Sequence, residues 1–349
     1  MSNKTMKALV KERPEPGLTY MEVPIPQVGP GQVMIKILKT AICGTDLHIY
    51  NWDAWSQRTI KTPQIIGHEF VGTIAAWGSG VAGFNEGDIV SGEGHIICGV
   101  CRNCKAGRRH LCMHTIGVGV NRDGCFAEYV VIPAENVVRV AKGIDLDVAS
   151  CFDALGNAVH TALKYEITGE DVLITGAGPI GIMAAIICRH VGAKKIAITD
   201  VNSYRLNLAK SAVPDIWAVD PRTITMPQLM KEMNLTEGFD IGLEMSGAEV
   251  AFRDMVESMN NGGRIALLGI HAGQPDINWD KVVFKMLTIM GIYGREMFET
   301  WYKMMAMLQT GLDVSKVITH RFDAPDFEKG FAAMNSGNSG KVVLTWSEI

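Results

Sequence analysis

The sequence has no long apolar run and no marked excess of charge of either sign. Its 349 residues contain 33 Lys and Arg against 37 Asp and Glu, whereas nucleic-acid-binding domains usually carry a basic surface. No apolar stretch approaches the ~18 residues of a membrane-spanning helix. The first ten residues, MSNKTMKALV, lack the basic and apolar regions of a secretion signal. We therefore expect a cytoplasmic protein that binds neither membranes nor nucleic acid.

Cysteines are few, but half of them are concentrated in one short stretch. The spacing C-x2-C-x2-C-x7-C is formed by Cys98, Cys101, Cys104 and Cys112. We expect Gly99, Asn103 and Gly107 to provide turns between them. Four soft sulfur ligands in one loop favour a tetrahedral zinc ion with no vacant position, which is typical of a structural site.

Two other interpretations of this cluster are weaker. Disulfides require an oxidising compartment, which the N-terminus does not indicate. Bacterial iron–sulfur runs also contain C-x2-C steps, but here the fourth cysteine is seven residues away and no proline follows it. The remaining cysteines are scattered along the chain.

The length allows about two domains, and the residue pattern changes along the chain. Up to about residue 150, short apolar runs are separated by Gly/Pro turns, namely VMIKILKTAI, FVGTIAAWG, DIVSGEG and FAEYVVI. This pattern predicts an antiparallel β domain. From about residue 170, strands such as DVLIT, KIAIT and FDIGLEMS alternate with helical segments, beginning with 179–191. This alternation predicts a parallel sheet with crossover helices.

A G-x-G-x-x-G pattern opens the first of these helices. Gly176 can form the turn, Gly178 lets the backbone approach a pyrophosphate, and Gly181 allows close helix–strand packing. The next strand ends at Asp200, where a carboxylate can accept the ribose hydroxyls and repel a 2′-phosphate. We therefore expect NAD rather than NADP, with Arg205 flanking the adenosine.

A second metal site is indicated within the β domain. Cys43 and His68 lie in separate loops and offer a thiolate and an imidazole, which is part of the usual ligand set of an open zinc site. Taken singly, each has another interpretation: Cys43 as a small buried apolar residue, and His68 as a hydrogen-bonded core residue. The dinucleotide motif in the same chain favours the metal site.

These motifs together resemble those of the zinc-dependent medium-chain dehydrogenases. The order is Cys-Gly-x-Asp-x-His, Gly-His-Glu, the four cysteines and G-x-G-x-x-G, and it covers essentially the whole chain. The resemblance implies an α/β architecture of a GroES-like β domain and a doubly wound Rossmann domain. It implies a GroES-like catalytic domain with the zinc lobe over 1–155, a Rossmann NAD-binding domain over 156–296, and a C-terminal return to the catalytic domain over 297–349.

The resemblance also implies roles for individual residues. Cys43, His68 and Glu69 surround a catalytic zinc ion, which makes two zinc ions per subunit, and Asp46 orients His68. Thr45 and His48 match a proton relay. Asp153 stands where the family has a glutamate before proline, so we expect it to assist rather than coordinate. We expect His95 to recognise the substrate. The further cofactor-binding positions are Ile180, Leu268, Gly269, Ile270, Ile292 and Tyr293.

Three longer segments, 45–52, 156–161 and 294–302, are most similar to the branch of the family that acts on L-threonine. They imply a homotetrameric enzyme that oxidises L-threonine to 2-amino-3-oxobutanoate with NAD. The alternative within the family is a polyol or secondary-alcohol dehydrogenase, of sorbitol or butanediol type. Outside it, the alternative is a non-catalytic NAD-binding or zinc-stabilised protein, which would have no reason to keep Cys43, His68, Thr45 and His48 together.

Overall fold

The computed structural model describes residues 4–271 and 273–348. In these residues the strands are β1 Thr5–Lys11, β2 Thr19–Pro24, β3 Gln32–Ile42, β4 Gln64–Ile65, β5 Phe70–Trp77, β6 Ile89–Gly92, β7 His95–Ile96, β8 Ile116–Gly117, β9 Tyr129–Pro133, β10 Val137–Arg139, β11 Asp171–Thr175, β12 Lys195–Thr199, β13 Trp217–Val219, β14 Phe239–Glu244, β15 Met259–Leu267, β16 Thr288–Gly291, β17 Ile318–Asp323 and β18 Lys341–Thr345.

The helices are distributed over the same described ranges. They are α1 Gly44–Asn51, α2 Ala54–Thr59, α3 Arg102–Lys105, α4 Leu146–Ser150, α5 Phe152–Ala162, α6 Pro179–His190, α7 Ser203–Ala212, α8 Met226–Glu232, α9 Glu249–Ser258, α10 Trp279–Phe284, α11 Glu299–Gln309 and α12 Phe327–Asn335. None of them combines the length and the apolar character needed to span a bilayer.

The chain forms two compact units. The first runs to Ala154 and resumes over Glu296–Met305 and from Ile318; the second comprises Leu155–Arg295 and Ala306–Val317. The first unit contains a seven-stranded sheet in the order β10-β6-β5-β3-β18-β17, with β9 also pairing to β3. A three-stranded sheet, β2-β1-β4, and the short β7-β8 pair complete it.

The long strand β3 organises the first unit. It pairs antiparallel with β5, β9 and β18, and its pairing with β5 contains two register shifts. Its alternating burial places Ile35 and Ile37 in a core with Phe70 and Val342. Removal of such aliphatic and aromatic side chains from water is the main stabilising contribution to a core of this kind. The predicted antiparallel β domain is confirmed.

The second unit contains a six-stranded parallel sheet in the order β13-β12-β11-β14-β15-β16. This is the doubly wound order, in which the direction of winding reverses between β11 and β14. Buried apolar residues such as Leu173, Phe239 and Ile265 fill its core. The predicted parallel sheet is therefore also confirmed.

Several predicted segments end earlier or start later than their apolar letters suggest. FAEYVVI becomes a strand only at Tyr129. Phe126, before the strand, packs against Gly67, where a Cβ would lie 2.1 Å from Phe126 Cδ1. FDIGLEMS ends as a strand at Glu244, whose carboxylate accepts the backbone N–H of Ser246 and turns the chain. The sequence analysis did not predict β1, β2 and β17; β1 pairs with β2, and β17 pairs with β18.

Candidate functional site

The four clustered cysteines form a compact sulfur site. The Sγ atoms of Cys98, Cys101, Cys104 and Cys112 all lie within 4.8 Å of one another. Gly99 and Gly107 have φ values of 70° and 79°, which few side chains tolerate. Asn103 does not form a turn as predicted: it lies in α3 and its Nδ2 donates to the Leu111 carbonyl.

Backbone amides point at the sulfur atoms of this lobe. Cys98 N donates to Cys112 Sγ at 3.3 Å, and Cys101 N donates to Cys98 Sγ at 3.4 Å. Backbone hydrogen bonds lower the pKa of Cys101 to about 6, which favours the thiolate that a metal ligand requires. The donor set and its amide partners fit a closed zinc site.

A second donor cluster lies at the start of α1. The ligand atoms of Cys43, His68 and Glu69 are also within 4.8 Å of one another. Cys43 is the N-cap residue of α1. His68 follows Gly67, whose φ of 91° turns the chain. Thus two loops far apart in sequence bring a thiol, an imidazole and a carboxylate together.

The buried polar atoms of this cluster fit a bound cation. Among the described residues, His68 Nδ1 and Glu69 Oε1 are buried without a hydrogen-bond partner, a costly arrangement unless an ion completes it. Burial opposes a charge on His68, but Asp46 and Cys43 outweigh that effect and raise the pKa of the imidazole well above its usual value. The donor set therefore fits zinc with an open position.

Asp46 contacts two residues of this cluster, Cys43 and His68. It is completely buried, and its Oδ2 accepts the Cys43 backbone N–H at 2.9 Å. Its Oδ1 is 3.7 Å from His68 Nδ1, which is an electrostatic contact and not a hydrogen bond. Asp46 therefore holds the Cys43 loop directly and acts on His68 through charge.

Two residues that the sequence analysis missed are paired with site residues. Lys341 on β18 is buried, and its Nζ is 2.6 Å from Glu69 Oε2; nothing in the sequence indicated this pair. Asp53 Oδ2 is 2.7 Å from His48 Nδ1, while its Oδ1 caps α2 at Ser56 N. The N-cap pattern of Asp53 five residues after His48 was a usable signal.

The remaining predicted residues of the first unit lie near this cluster. Thr45 and His48 are one turn apart on α1, and the His48 side chain is 62% exposed. Asp153 is buried and electrostatically coupled to His68 and Glu69. Within the described residues, the clustered donor atoms are those of Cys43, His68 and Glu69 and do not include those of Asp153. His95 Nδ1 is 3.0 Å from Glu93 Oε1.

The glycines of the dinucleotide motif have distinct structural roles in the second unit. Gly176 has a φ of 91°. A Cβ at Gly181 would lie 1.9 Å from the Gly176 carbonyl oxygen, so only glycine allows α6 to pack on the turn. A Cβ at Gly178, the N-cap of α6, would meet nothing within 4 Å. Space therefore remains beside Gly178, next to the N-terminus of α6, and Ile180 lies in the first turn of that helix.

Asp200 and Arg205 lie beside this turn. Asp200 Oδ2 accepts the Ala177 N–H at 2.8 Å, and its Oδ1 accepts the Asn202 N–H at 2.8 Å. Within the described residues, the Arg205 Nε is buried without a hydrogen-bond partner. A carboxylate and a guanidinium are thus available at the carboxyl end of β12.

The other predicted cofactor residues follow the carboxyl ends of β15 and β16. Leu268 and Gly269 donate their backbone N–H groups to the Glu244 carbonyl. Ile270 is 93% exposed and Tyr293 is 57% exposed, whereas Ile292 is buried. In a parallel sheet these ends form the edge at which ligands bind.

Comparison with known proteins agrees with this architecture. Residues 29–142 match the alcohol dehydrogenase GroES-like domain, and residues 179–310 match the zinc-binding dehydrogenase family. An L-threonine 3-dehydrogenase of Pectobacterium atrosepticum is 61% identical over 98% of this chain and 95% of that protein.

Two crystal structures share the fold across their length. A short chain alcohol dehydrogenase from Escherichia coli CFT073, complexed with NADH, is 26% identical over 98% of this chain and 99% of the other, with a TM-score of 0.89. The 2R,3R-butanediol dehydrogenase from Bacillus subtilis is 22% identical over 98% and 100%, with a TM-score of 0.87, which shows the fold alone. The chain therefore belongs to the zinc-binding alcohol dehydrogenases with a GroES-like domain, in the group of the L-threonine 3-dehydrogenases.

Proposed function

We propose that the protein oxidises the 3-hydroxyl of L-threonine to the ketone of 2-amino-3-oxobutanoate, with NAD as the hydride acceptor. The observation that carries this proposal is the 61% identity, over 98% of the chain, with an L-threonine 3-dehydrogenase. The Cys43, His68 and Glu69 cluster supports it, since it supplies the metal site that such chemistry uses.

Cys43, His68 and Glu69 would hold zinc, which would supply Lewis acidity and so lower the pKa of an alcohol. The chain itself provides a route for the released proton. Thr45 lies on the first turn of α1, beside Cys43, and His48 lies one turn later with most of its side chain exposed. Asp53 holds the His48 imidazole, so the proton passes from the site towards Thr45 and His48 and then to solvent.

Asp153 and His95 act on the substrate side of this site. Asp153 stabilises positive charge near His68 and Glu69 from outside the clustered donors. His95 lies on β7, and we assign it to the amino-acid end of the substrate, because a hydroxy amino acid needs polar partners that a plain alcohol does not.

The second unit binds NAD in this proposal. The pyrophosphate lies against Gly176, Gly178 and the N-terminus of α6, where backbone N–H groups and the helix dipole favour anions. Asp200 accepts the ribose hydroxyls and disfavours a 2′-phosphate, and Arg205 flanks the adenosine. The loops after β15 and β16 complete the cofactor site.

The proposed enzyme is a cytoplasmic homotetramer. Its cysteines form no disulfides in the described residues, in keeping with a reducing compartment. The edge strand β16 is largely exposed, and α10 exposes three large apolar side chains, Trp279, Val283 and Phe284. An exposed edge strand next to an apolar patch is a surface that a second copy can cover. Native mass spectrometry of the purified protein tests the number of subunits.

The decisive experiment is a substrate panel of L-threonine, D-threonine, L-serine, sorbitol and 2,3-butanediol, each with NAD and added zinc. We expect the highest kcat/KM for L-threonine. A site built for an ammonium and a carboxylate leaves two polar partners unpaired with a diol, which gives discrimination on the order of 100-fold. A higher kcat/KM for sorbitol or butanediol would replace the threonine assignment by the polyol one.

A further inference from the structure

The buried carboxylate of Glu93 contacts the imidazole of His95. Glu93 is completely buried at the end of β6. Its Oε1 is 3.0 Å from both the backbone N and the Nδ1 of His95, and its Oε2 accepts the Trp301 indole N–H at 3.0 Å. Both carboxylate oxygens are therefore engaged, one by each of two residues that are 206 positions apart in the chain.

The backbone around Glu93 is held from several directions. Asn136 Nδ2 donates to the carbonyls of Glu93 at 2.8 Å and of His95 at 2.9 Å. Glu93 N donates to the Asn136 carbonyl at 2.8 Å. His95 itself lies on β7, opposite Gly117 on β8. The His95 backbone is thus held both by the Glu93 carboxylate, at its N–H, and by Asn136, at its carbonyl.

Trp301 gives the carboxylate a rigid second partner. Trp301 is completely buried, and its ring meets that of Phe152 edge to face, with centroids 6.1 Å apart. An indole N–H can only donate, so Glu93 Oε2 is an acceptor. A backbone N–H is likewise only a donor, so Glu93 Oε1 is an acceptor too. The His95 Nδ1 at the same oxygen is therefore the protonated nitrogen, and its Nε2 edge is the one through which it meets a ligand.

The segment that carries His95 lies directly against the metal cluster. A Cβ placed at Gly94 would lie 3.6 Å from the His68 Cβ and 3.7 Å from Asp153 Oδ1. Gly94, between Glu93 and His95, therefore lies close to both a metal-site residue, His68, and the carboxyl group of Asp153. A change in the orientation of the His95 ring would therefore misplace the substrate hydroxyl that reacts.

We propose that Glu93, fixed by Trp301, is a positioning residue that holds His95 in the orientation in which it receives the amino-acid end of the substrate. It thereby determines the preference for a hydroxy amino acid over an uncharged alcohol. This inference rests on the proposed function. The side chain of His95 is 26% exposed and that of Glu93 is 0% exposed, so Glu93 acts through His95 and not by touching the substrate.

The test compares Glu93→Gln with Glu128→Gln. Glu128 accepts the Lys7 backbone N–H elsewhere in the same unit, so the control loses a carboxylate with a similar backbone contact. An amide keeps one acceptor for Trp301 but presents N–H groups to His95. We expect Glu93→Gln to lower kcat/KM for L-threonine by about 10-fold or more, mainly through KM, with a much smaller loss for 2,3-butanediol. Zinc content and the Kd for NADH should match those of the control.

A double-mutant cycle with His95→Ala separates positioning from general damage. If Glu93 acts through His95, adding Glu93→Gln to His95→Ala should cost little further activity. Trp301→Phe should also weaken L-threonine binding, as Glu93→Gln does. Glu93→Asp should retain part of the binding that Glu93→Gln loses. If Glu93→Gln does not fold, Trp301→Phe takes its place in the cycle.

Additive losses in the cycle, or equal losses for L-threonine and butanediol, would overturn the assignment. Its failure can be told apart from that of the proposed function. If the wild-type protein does not oxidise L-threonine, the proposed function fails. If it does, and the Glu93 variants behave as Glu128→Gln, only the role of Glu93 fails.

Discussion

Two glycines of the same motif, Gly178 and Gly181, should respond to alanine in opposite ways. At Gly181 an added Cβ would lie 1.9 Å from the carbonyl oxygen of Gly176, which is backbone and cannot rotate away. At Gly178 an added Cβ would meet no atom of the chain within 4 Å, and the φ of −67° suits alanine. One substitution therefore damages packing, and the other affects only what binds.

The size of each effect follows from these distances. Ordinary contacts begin at 3.4 Å, so Gly181→Ala must push α6 about 1.5 Å away from the turn. Overpacking of this kind costs up to about 3 kcal/mol. For a unit of this size that corresponds to a fall in Tm of roughly 6–12 °C. Gly178→Ala should change Tm by less than about 2 °C, since substitutions without a packing consequence are close to neutral.

For NADH binding the order should be the opposite of that for stability, with Gly178→Ala the more damaging substitution. The Cβ of Gly178→Ala points into the space where we place the pyrophosphate, so the Kd for NADH should rise by about 10-fold or more. Differential scanning calorimetry gives Tm, and fluorescence titration gives the NADH Kd of each folded variant. Wild-type NADH affinity in Gly178→Ala would refute the placement of the pyrophosphate. Wild-type Tm in Gly181→Ala would refute the close packing of α6 on the turn.

The remaining predictions concern the zinc sites, cofactor choice and pH. Cys101→Ser should lower thermal stability or disrupt assembly before it changes kcat, because a structural zinc site contributes folding free energy; a stable variant with turnover alone lost would contradict this. Asp200→Gly should shift the ratio of kcat/KM values towards NADP, and an unchanged ratio would exclude its selective role. Cys43→Ser should abolish turnover but retain NADH affinity. His48→Ala should lower kcat less, and higher pH should partly restore it, because hydroxide then accepts the proton. Equal losses of NADH affinity in both variants would refute the separation of the metal site from the cofactor site. Burial lowers the pKa of Lys11 to about 8, so the folded chain releases this proton at a lower pH than the unfolded chain does. The free energy of unfolding, measured relative to that of Lys11→Met, should therefore rise between about pH 8 and pH 10. If denaturant titrations give the same difference in unfolding free energy throughout that range, the shift is contradicted.

The fold was predictable where local pattern and tertiary structure agree. DVLIT and KIAIT are strands with the predicted bounds, because each is a short, largely buried and mainly apolar run in a parallel sheet. The segment 179–191 is helical to His190. By contrast, β17 reads Ile-Thr-His-Arg-Phe-Asp and has little local signal; it forms because β18 pairs with it.

The site was predictable where its residues carry chemistry that few other roles explain. Four cysteines at short spacing, and Cys43 with His68, are such residues, and their donor atoms do cluster. Asp46 was expected to orient His68, yet its hydrogen bond goes to the Cys43 backbone instead. A spacing of three residues puts Asp46 at the third position of α1, where a carboxylate caps the helix start. Asp46 therefore uses its hydrogen bond to cap α1, whereas the motif had led us to expect a hydrogen bond to His68.

The functional partners that the sequence analysis missed share a physical cause. Lys341 meets Glu69 across 272 positions of the chain, and Trp301 meets Glu93 across 208. Each pair places a buried polar group against a buried carboxylate, which is stable only when both partners are present. No periodicity or spacing records such a pair, because its two partners come from distant parts of the chain. The chemistry of the site is therefore legible in the sequence, whereas the contacts that orient this chemistry become visible only when the chain is folded.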